Sequence, residues 1–508
     1  MSVISHFRWR TSIATAFTLL ALVLSLVFAL SSRVLTFAAG PQLLQLSSDP
    51  FTNSTSQHRT EVEPDTFAFG STIVSAFQVG RFFNGGASDI GFATSTDGGK
   101  KFTSGFLPGT TPFSTPAGIW ARTSDPSVAF DARDGVWLIS FLGLFPNGNT
   151  SEVDVLVSRS TDGGLTWSNP VVVNADGNSN DKNWTVCDST ASSPFYGNCY
   201  TEFDNNSKLD LIQMSTSTDG GLTWGAAQTT ANQTHGIGGQ PLVQPNGTVI
   251  VPINGFAGNK FLILSFISTD GGTSWSKTFR VSEVDFRHPA GGIRAGIPLP
   301  SAEIDGSGKA YVVWSDCVFE PGCTASDLVL STSTDGINWS PVTRIPLDPI
   351  GSGVDHFIPG LAVDRSTSDG SAHLVVTFYF YPNANCTAST CQLDVGFSTS
   401  SDGGATWSSN TQIAGPMTLS WLPNTTQGRM VADYISTSFV SAPAFPAFAV
   451  ASAPTSGGSD CFTATPNCNE AIFTVKGGLS VGGKSNLAHD QTNASSNETL
   501  TGSSLTAQ

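Results

Sequence analysis

The stretch Ser160-Thr161-Asp162-Gly163-Gly164-Leu165-Thr166-Trp167 recurs along the chain and decides its fold. Each copy lies between two β-type runs, so it has the position of a hairpin turn. Its Asp and Ser side chains can accept backbone N–H groups, its glycines permit positive φ, and its Trp can anchor the turn on a neighbouring sheet. The five related copies are Ser95 to Phe102, Ser217 to Trp224, Ser268 to Trp275, Ser333 to Trp339 and Ser400 to Trp407. Their regular spacing predicts a repeat architecture built from antiparallel hairpins.

The pattern Ser-x-Asp-x-Gly-x-Thr-Trp resembles the Asp box, or bacterial neuraminidase repeat, of the sialidase-like β-propeller superfamily. The resemblance implies an all-β fold in which blades surround an axis and the boxes lie on the face opposite the ligand. Aligning the repeats gives inner strands that begin near Asp65, Asp125, Asp181, Gln240, Pro298, Asp355 and Gly428. We therefore expect one propeller of seven four-stranded blades, six of which carry Asp boxes.

The seventh blade lacks a fourth strand at its C-terminal end, where the chain turns into a polar tail. The strand-like segment from Gln42 to Leu46 resembles the outer strands of the other blades, so we expect it to supply the missing strand and close the ring. The propeller would then span residues 41–483, and residues 484–508 would form a disordered tail.

The N-terminal segment has the pattern of an export signal. Arg8 and Arg10 precede an uncharged apolar run from Ile13 to Leu30. This pattern predicts that residues 1–39 are either a cleaved signal peptide or a membrane anchor. In both cases we expect a monomer outside the cytoplasm, secreted or held on the outer face of the membrane through this segment alone.

Composition and missing motifs remove several classes of function. The net charge of −16, with 23 Lys and Arg in 508 residues, argues against a nucleic-acid partner. The sequence contains no Gly-x-Ser-x-Gly elbow and no phosphate-binding Gly-Lys-Ser/Thr loop, which removes serine-hydrolase and nucleotide functions.

The eight cysteines fall into four close pairs, and an exported protein can oxidise them. No pair has the two-residue spacing and nearby histidines of a zinc site, so we expect no metal at the cysteines. Three pairs would staple loops on the predicted ligand face. The expected disulfides are Cys187–Cys199, Cys317–Cys323, Cys386–Cys391 and Cys461–Cys468.

Candidate site residues follow from the resemblance, which places ligands beside the starts of the inner strands. Sialidases of this superfamily hold the carboxylate of the sugar with three arginines and use a Tyr nucleophile assisted by Glu, with an Asp as acid/base. By position, the arginines would be Arg122, Arg294 and Arg429, and the phenol Tyr434 or Tyr381. The assisting residue would be Glu63 or Glu320 and the acid Asp125 or Asp65, with Asp181, Asp355, His356 and Asp316 as further contacts.

Two alternatives use the carboxylates differently. A pair drawn from Glu63, Asp65, Asp125, Asp181 and Asp355 could hydrolyse a glycosidic bond without the arginines, or the same oxygens could hold a structural calcium ion. We expect no other cofactor. The predicted function is an exported propeller that binds a glycan, and could hydrolyse it, on the face opposite the Asp boxes. A non-catalytic extracellular binding or scaffolding propeller is the alternative.

Overall fold

The computed structural model describes residues 40–145, 152–258, 260–454, 460, 461 and 468–482. The predicted signal or anchor segment and the predicted polar tail lie outside these residues. All strands belong to the compact unit that begins at Pro41. No helix in the described part of the chain has the length and apolar character that a membrane span needs.

The described chain is all-β, as predicted, and its helical turns are three-residue 3-10 segments. The first strands are β1 Leu43–Gln45, β2 Glu61–Phe69, β3 Thr72–Arg81, β4 Ala87–Ser95, β5 Thr103–Phe106, β6 Arg122–Asp131, β7 Val136–Leu144, β8 Val153–Ser160, β9 Val171–Asn174, β10 Asn180–Cys187, β11 Cys199–Asn205, β12 Leu211–Ser217 and β13 Gln228–Thr229. They are followed by β14 Gly236–Ile237, β15 Leu242–Val243, β16 Val249–Ala257, β17 Lys260–Ser268, β18 Phe279–Val284, β19 Ser301–Ile304, β20 Ala310–Asp316, β21 Asp327–Ser333 and β22 Thr343–Arg344. The last are β23 Asp355–Val363, β24 Leu374–Tyr381, β25 Gln392–Ser400, β26 Thr411–Thr418, β27 Asn424–Thr425, β28 Gly428–Arg429, β29 Ser436–Phe439, β30 Pro443–Ala451, β31 Glu470–Val475 and β32 Leu479–Ser480. The 3-10 segments are Asn206–Lys208, Ala290–Gly292, Pro321–Cys323, Asp369–Ser371 and Leu419–Trp421.

These strands form antiparallel sheets that follow one another in chain order. Sheet 1 comprises β2–β5, sheet 2 β6–β9, sheet 3 β10–β13, sheet 4 β14–β18, sheet 5 β19–β22 and sheet 6 β23–β26. Sheet 7 contains β29–β32 together with β1, and the short hairpin of β27 and β28 precedes it. A single residue pair, Ala87 with Thr123, joins sheets 1 and 2.

The N-terminal strand completes sheet 7. β1 pairs antiparallel with β31, with Leu43 opposite Val475 and Gln45 opposite Phe473. The amide of Leu46 donates to the carbonyl of Ile472 at 2.8 Å, which extends the pairing by one residue. This confirms that the N-terminal segment supplies the fourth strand of the last sheet and covers its edge.

Neighbouring sheets contact each other through their first strands. These contacts link β2 to β6, β6 to β10, β10 to β15, β15 to β19, β19 to β23, β23 to β29 and β29 back to β2. Side chains reinforce them, because Asp65 Oδ2 accepts from the amide of Val128 at 2.6 Å and Ser127 Oγ from the amide of Thr185 at 3.0 Å. Buried carboxylates and hydroxyls on the first strands thus tie one sheet to the next.

The core lies between the sheets. Between sheets 1 and 2, for example, Val74, Ile90, Ile139 and Leu156 form one buried cluster with Trp167, the last residue of an Asp box. This is the anchoring position that the repeat predicts for its Trp.

The Asp-box turn of Ser160 to Trp167 follows the predicted chemistry. Asp162 Oδ1 accepts from the amides of Leu165 at 3.0 Å and Thr166 at 2.9 Å, and Ser160 Oγ accepts from the amide of Gly164 at 2.9 Å. Burial opposes ionisation, but the hydrogen bonds that Asp162 accepts, first that from the Thr166 hydroxyl at 2.6 Å, outweigh it and lower the pKa of Asp162 to about 2. Gly164 has φ of 82°, and a Cβ there would lie 2.7 Å from Val74, so only glycine fits.

All four predicted disulfides are present. Cys187–Cys199 joins facing residues of β10 and β11. Cys317–Cys323 and Cys386–Cys391 lie in the loops between the second and third strands of sheets 5 and 6.

Candidate functional site

Four of the first strands share a bulge near their start. The bulged residues are Glu63, Asp125, Lys182 and Ile358, with φ between 48° and 53°. Three of the four are followed by proline, which has no N–H to leave unpaired at the bulge. Positive φ at a non-glycine residue costs on the order of 1–3 kcal/mol and concentrates at functional sites.

Three of these bulges bring charged side chains together. The Lys182 Nζ lies 3.0 Å from Asp125 Oδ2, 3.6 Å from Glu63 Oε1 and 2.7 Å from Asp433 Oδ2. Asp433 also forms an ion pair with the guanidinium of Arg294. We call these five residues the charged cluster.

Only part of the charged cluster reaches the surface. The side chain of Glu63 is fully buried and that of Lys182 is 8% exposed, whereas those of Asp433 and Arg294 are 13% and 15% exposed. A ligand at the surface would therefore meet Asp433 and Arg294 first.

The two kinds of carboxyl group in the charged cluster titrate in opposite directions. Burial raises the pKa of Glu63 to about 8, although Lys182 opposes the shift. Burial also acts on Asp125 and Asp433, but Lys182 outweighs it at Asp125, as Arg294 and Lys182 do at Asp433, so both pKa values fall below the usual range. At neutral pH the site thus contains a protonated carboxyl beside two ionised ones.

A second layer of polar side chains supports the charged cluster. Gln78 Nε2 donates to Glu63 Oε2 and lies 3.5 Å from Asp125 Oδ1. The buried guanidinium of Arg81 shares Met430 Sδ with Arg294, at 3.3 and 3.6 Å. Burial, and then the charge of Arg294, lowers the pKa of Arg81 to about 10.

Sequence reasoning misses Asp433 and Gln78. Gln78 lies in the interior of the second strand β3, where the pattern predicts only core residues. The one sequence signal for Asp433 is that it directly precedes the candidate Tyr434.

An aromatic cleft opens beside the charged cluster. Lys182 and Asp433 of the charged cluster form part of its wall. Its other walls are mainly apolar and include Trp184, Phe286, Ile297, Leu299, Phe357 and Ile358.

A second, polar cleft is lined by Asp125, Lys182 and Arg294 of the same cluster. Its other lining residues include Asn84, Gly85, Gly86, Asn180, Asp181, Asn206, Thr426 and Gln427. No aromatic side chain lines this cleft among the described residues.

The three predicted arginines have three separate environments. Arg122 donates to Asn84 Oδ1 at 2.7 Å and lies over the ring of Phe82. Arg429 pairs with Asp460 at 2.7 Å, and Arg294 pairs with Asp433. Each guanidinium group thus has its own partner, and a shared anion position for the three stays a prediction.

Tyr434, the expected nucleophile, is held by contacts within the fold. Its hydroxyl donates to the carbonyl of Pro126 at 3.0 Å, and its ring packs edge-on against Trp184. Burial raises the pKa of Tyr434 well above its usual value, which disfavours a phenolate. The alternative phenol, Tyr381, is also buried and donates to the carbonyl of Ala290 at 3.3 Å.

Most other predicted carboxylates are bound within the fold. Asp65 is the inter-sheet acceptor described above, and burial raises its pKa to about 7. Asp355 pairs with Arg287 at 2.7 Å. Asp316 accepts from Trp314 Nε1 at 3.1 Å. Of these carboxylates, only Asp181 lines one of the two clefts, the polar one. It accepts from the amide of Lys182 at 2.9 Å.

His356 belongs to a group spaced for a metal ion, although it lies away from the clefts. One ligand atom from each of His356, Asp327 and Asp348 lies within 4.8 Å of the others. The guanidinium of Arg344 already lies between the two carboxylates, with Nη2 2.7 Å from Asp327 Oδ1 and 2.8 Å from Asp348 Oδ1. Burial lowers the pKa of His356 to about 4, and Nδ1 donates to the carbonyl of Ser326. The arginine therefore supplies the positive charge that the two carboxylates need.

Comparison with known proteins agrees with the Asp boxes. Residues 148–358 match the BNR repeat-like domain. Within this range the chain thus carries the BNR repeat that its sequence predicts.

Several solved structures overlap this chain at low identity. A leech intramolecular trans-sialidase has 13% identity and a TM-score of 0.44, with 69% of this chain and 68% of that protein covered. A protein of unknown function from Dyadobacter fermentans has 16% identity and a TM-score of 0.43, with 71% and 99% covered. The α-L-arabinofuranosidase Arb93A of Fusarium graminearum has 14% identity and a TM-score of 0.42, with 70% and 98% covered. No curated protein sequence matches the chain.

Proposed function

We propose that this protein is an exported seven-bladed propeller that binds a glycan over the charged cluster, on the face opposite the Asp boxes. The cyclic contacts between first strands and the pairing of β1 with β31 support a closed ring in which sheets 1 to 7 are the blades. The four disulfides suit a location outside the cytoplasm, where residues 1–39 would direct or anchor the chain.

The observation that carries the proposal is the aromatic cleft that ends at the charged cluster. Trp184 and Phe286 offer flat apolar surface for the C–H face of a sugar ring, while Asp433 offers hydrogen-bond acceptors for its hydroxyls. Such a combination of apolar walls with a few convergent polar groups is typical of ligand sites.

The charge balance favours a neutral sugar over an acidic one. Lys182 and Arg294 are already paired with Asp125 and Asp433, so no cation of the charged cluster is left to hold an added carboxylate. An anion would have to displace Asp433 from both partners, which would leave a part-buried charge unpaired. The proposal therefore replaces the acidic sugar of the three-arginine hypothesis with a neutral glycan.

A glycan array followed by titration of the retained sugars tests the proposal. Phe286→Ala removes a wall of the aromatic cleft and should weaken binding at least tenfold, about 1.4 kcal/mol. The matched control is Phe69→Ala, an exposed phenylalanine at the far end of β2, which should change nothing. Failure to retain any neutral glycan, or equal losses in both variants, would contradict the proposal.

Hydrolysis is the second candidate function, favoured by the divergent pKa values of Glu63 and Asp433. Both carboxyl groups lie within 3.6 Å of the same Lys182 Nζ, and only Glu63 keeps its proton at neutral pH. Glu63 could thus donate a proton while Asp433 or Asp125 acts as base or nucleophile, provided that the substrate reaches the buried acid. Turnover of neutral aryl glycosides that survives in Glu63→Gln would remove this mechanism, and binding without turnover would favour the non-catalytic alternative.

A further inference from the structure

We propose that the polar cleft is a second sugar subsite, so that the ligand is a neutral oligosaccharide of at least two residues laid across the charged cluster. This inference rests on the proposed glycan-binding function. It adds the length of the ligand and the residues that hold its second unit.

The two clefts are separated by single side chains. Lys182 lines both, and its Nζ contacts Asp433 of the aromatic cleft at 2.7 Å and Asp125 of the polar cleft at 3.0 Å. Arg294 lines the polar cleft and pairs with Asp433 of the aromatic cleft. A sugar bound on one side therefore lies next to the space on the other.

The chemistry of the polar cleft differs from that of its neighbour and suits hydroxyl groups. Asn84, Asn206 and Gln427 are exposed amides, and an amide can donate to one hydroxyl and accept from another. Gly85 has open space where a side chain would be, so a ring can approach the backbone there. We expect hydrogen bonding to dominate in this subsite and stacking in the aromatic cleft.

The wall of the polar cleft is held in place before a ligand arrives. Arg122 donates to Asn84 Oδ1 at 2.7 Å and to the carbonyl of Gly85 at 2.8 Å. The amide of Thr426 donates to the carbonyl of Phe83 at 3.0 Å, which ties the two sides of the wall together. Preorganisation lowers the ordering cost of binding, and it assigns Arg122 a positioning role.

The test is a length series. Probes are end-labelled linear gluco-, xylo-, manno- and arabino-oligosaccharides of one to six units, titrated by fluorescence polarisation. In the series that binds, affinity should rise at least tenfold between one unit and three. Gln427→Ala should abolish that gain and leave the affinity for the single unit unchanged, and Asn84→Ala should act in the same way. Gln228→Ala, an exposed glutamine on the outer strand β13, is the matched control and should keep the full gain.

The outcomes separate this inference from the proposed function. Binding that is independent of length, or a length gain that survives in both Gln427→Ala and Asn84→Ala, overturns the second subsite and leaves glycan binding standing. Absence of binding at every length overturns the proposed function itself.

Discussion

Sheets 1–3 and sheet 6 use the same backbone feature for opposite purposes. In sheets 1, 2 and 3, the bulges carry Glu63, Asp125 and Lys182, and their side chains form the charged cluster. In sheet 6 the bulge carries Ile358, and between β14 and β15 of sheet 4 the chain turns at Gly238 with φ of 67°. Ile358 and Gly238 line the aromatic cleft.

This difference teaches that the backbone sets where a side chain points, while residue type alone sets what the site can bind. Sheets 1–3, the charged half, must pair their buried groups internally, because an unpaired buried charge is strongly destabilising. Sheets 4 and 6, which supply Gly238 and Ile358, form the apolar half. It has no such requirement and can leave a cleft open beside the charges.

Replacing Lys182 is the most direct test of the difference between the charged and the apolar half. Lys182→Met removes the cation that Glu63, Asp125 and Asp433 share, and should lower the free energy of unfolding by about 3–5 kcal/mol. Denaturant unfolding measures this loss. Lys208→Met, at an exposed lysine, is the control, and an equal effect in both variants would show that the buried cluster is not the cause.

Removing β1 tests the sheet that stands between the two halves, because β29 of sheet 7 contacts both β23 and β2. Deletion of residues 41–47 exposes the edge of β31 and should lower the melting temperature by several degrees. Truncation after residue 485 is the control and should leave the melting curve unchanged. A deletion variant that melts like the intact protein would contradict a closed ring.

The charged half should also carry a pH dependence. The folded protein keeps a proton on Glu63 up to about pH 8, whereas the unfolded chain loses it near pH 4.5, so this group makes stability fall as the pH rises through that window. Glu63→Gln removes the titrating carboxyl, and with it this fall of stability at rising pH. Between pH 5 and 8 the variant should gain on the order of 2 kcal/mol relative to the intact protein. Parallel curves of unfolding free energy against pH would contradict the protonated state of Glu63.

The smallest expected effect on stability is at Ile358, the apolar counterpart of the charged bulge residues. Ile358→Val keeps the branched side chain at the bulge and removes one buried methylene, so it should cost about 1 kcal/mol. Because no charge is involved, the cost should be the same at pH 5 and pH 8. A pH-dependent cost would mean that the two halves are electrostatically coupled.

The sequence predicts the repeat well because its signals are local. An Asp box is a turn whose bonds form within a few residues, as Asp162 and Ser160 show, and the cysteine pairs are equally close in the chain. The site is different, since it depends on which side chains converge from separate sheets. Proline follows both Glu63 and Asp125, but nothing in the sequence tells that these residues bulge or that Lys182 lies between them.

The arginines illustrate the same limit. Position along the repeat places Arg122, Arg294 and Arg429 at comparable starts, yet their guanidinium groups turn to different neighbours. A long, flexible side chain binds the groups that the surrounding loops present, and those loops differ from repeat to repeat.

The pairing of Leu43 with Val475 also fixes a time order for biosynthesis. Strand β1 must wait for β31, so sheet 7 cannot be completed until both distant segments are free to fold. Earlier sheets can form from contiguous hairpins, whereas this pairing joins distant parts of the chain and belongs to the slow class of folding events. Until then the edge of β31 is unpaired, which makes this interval prone to aggregation.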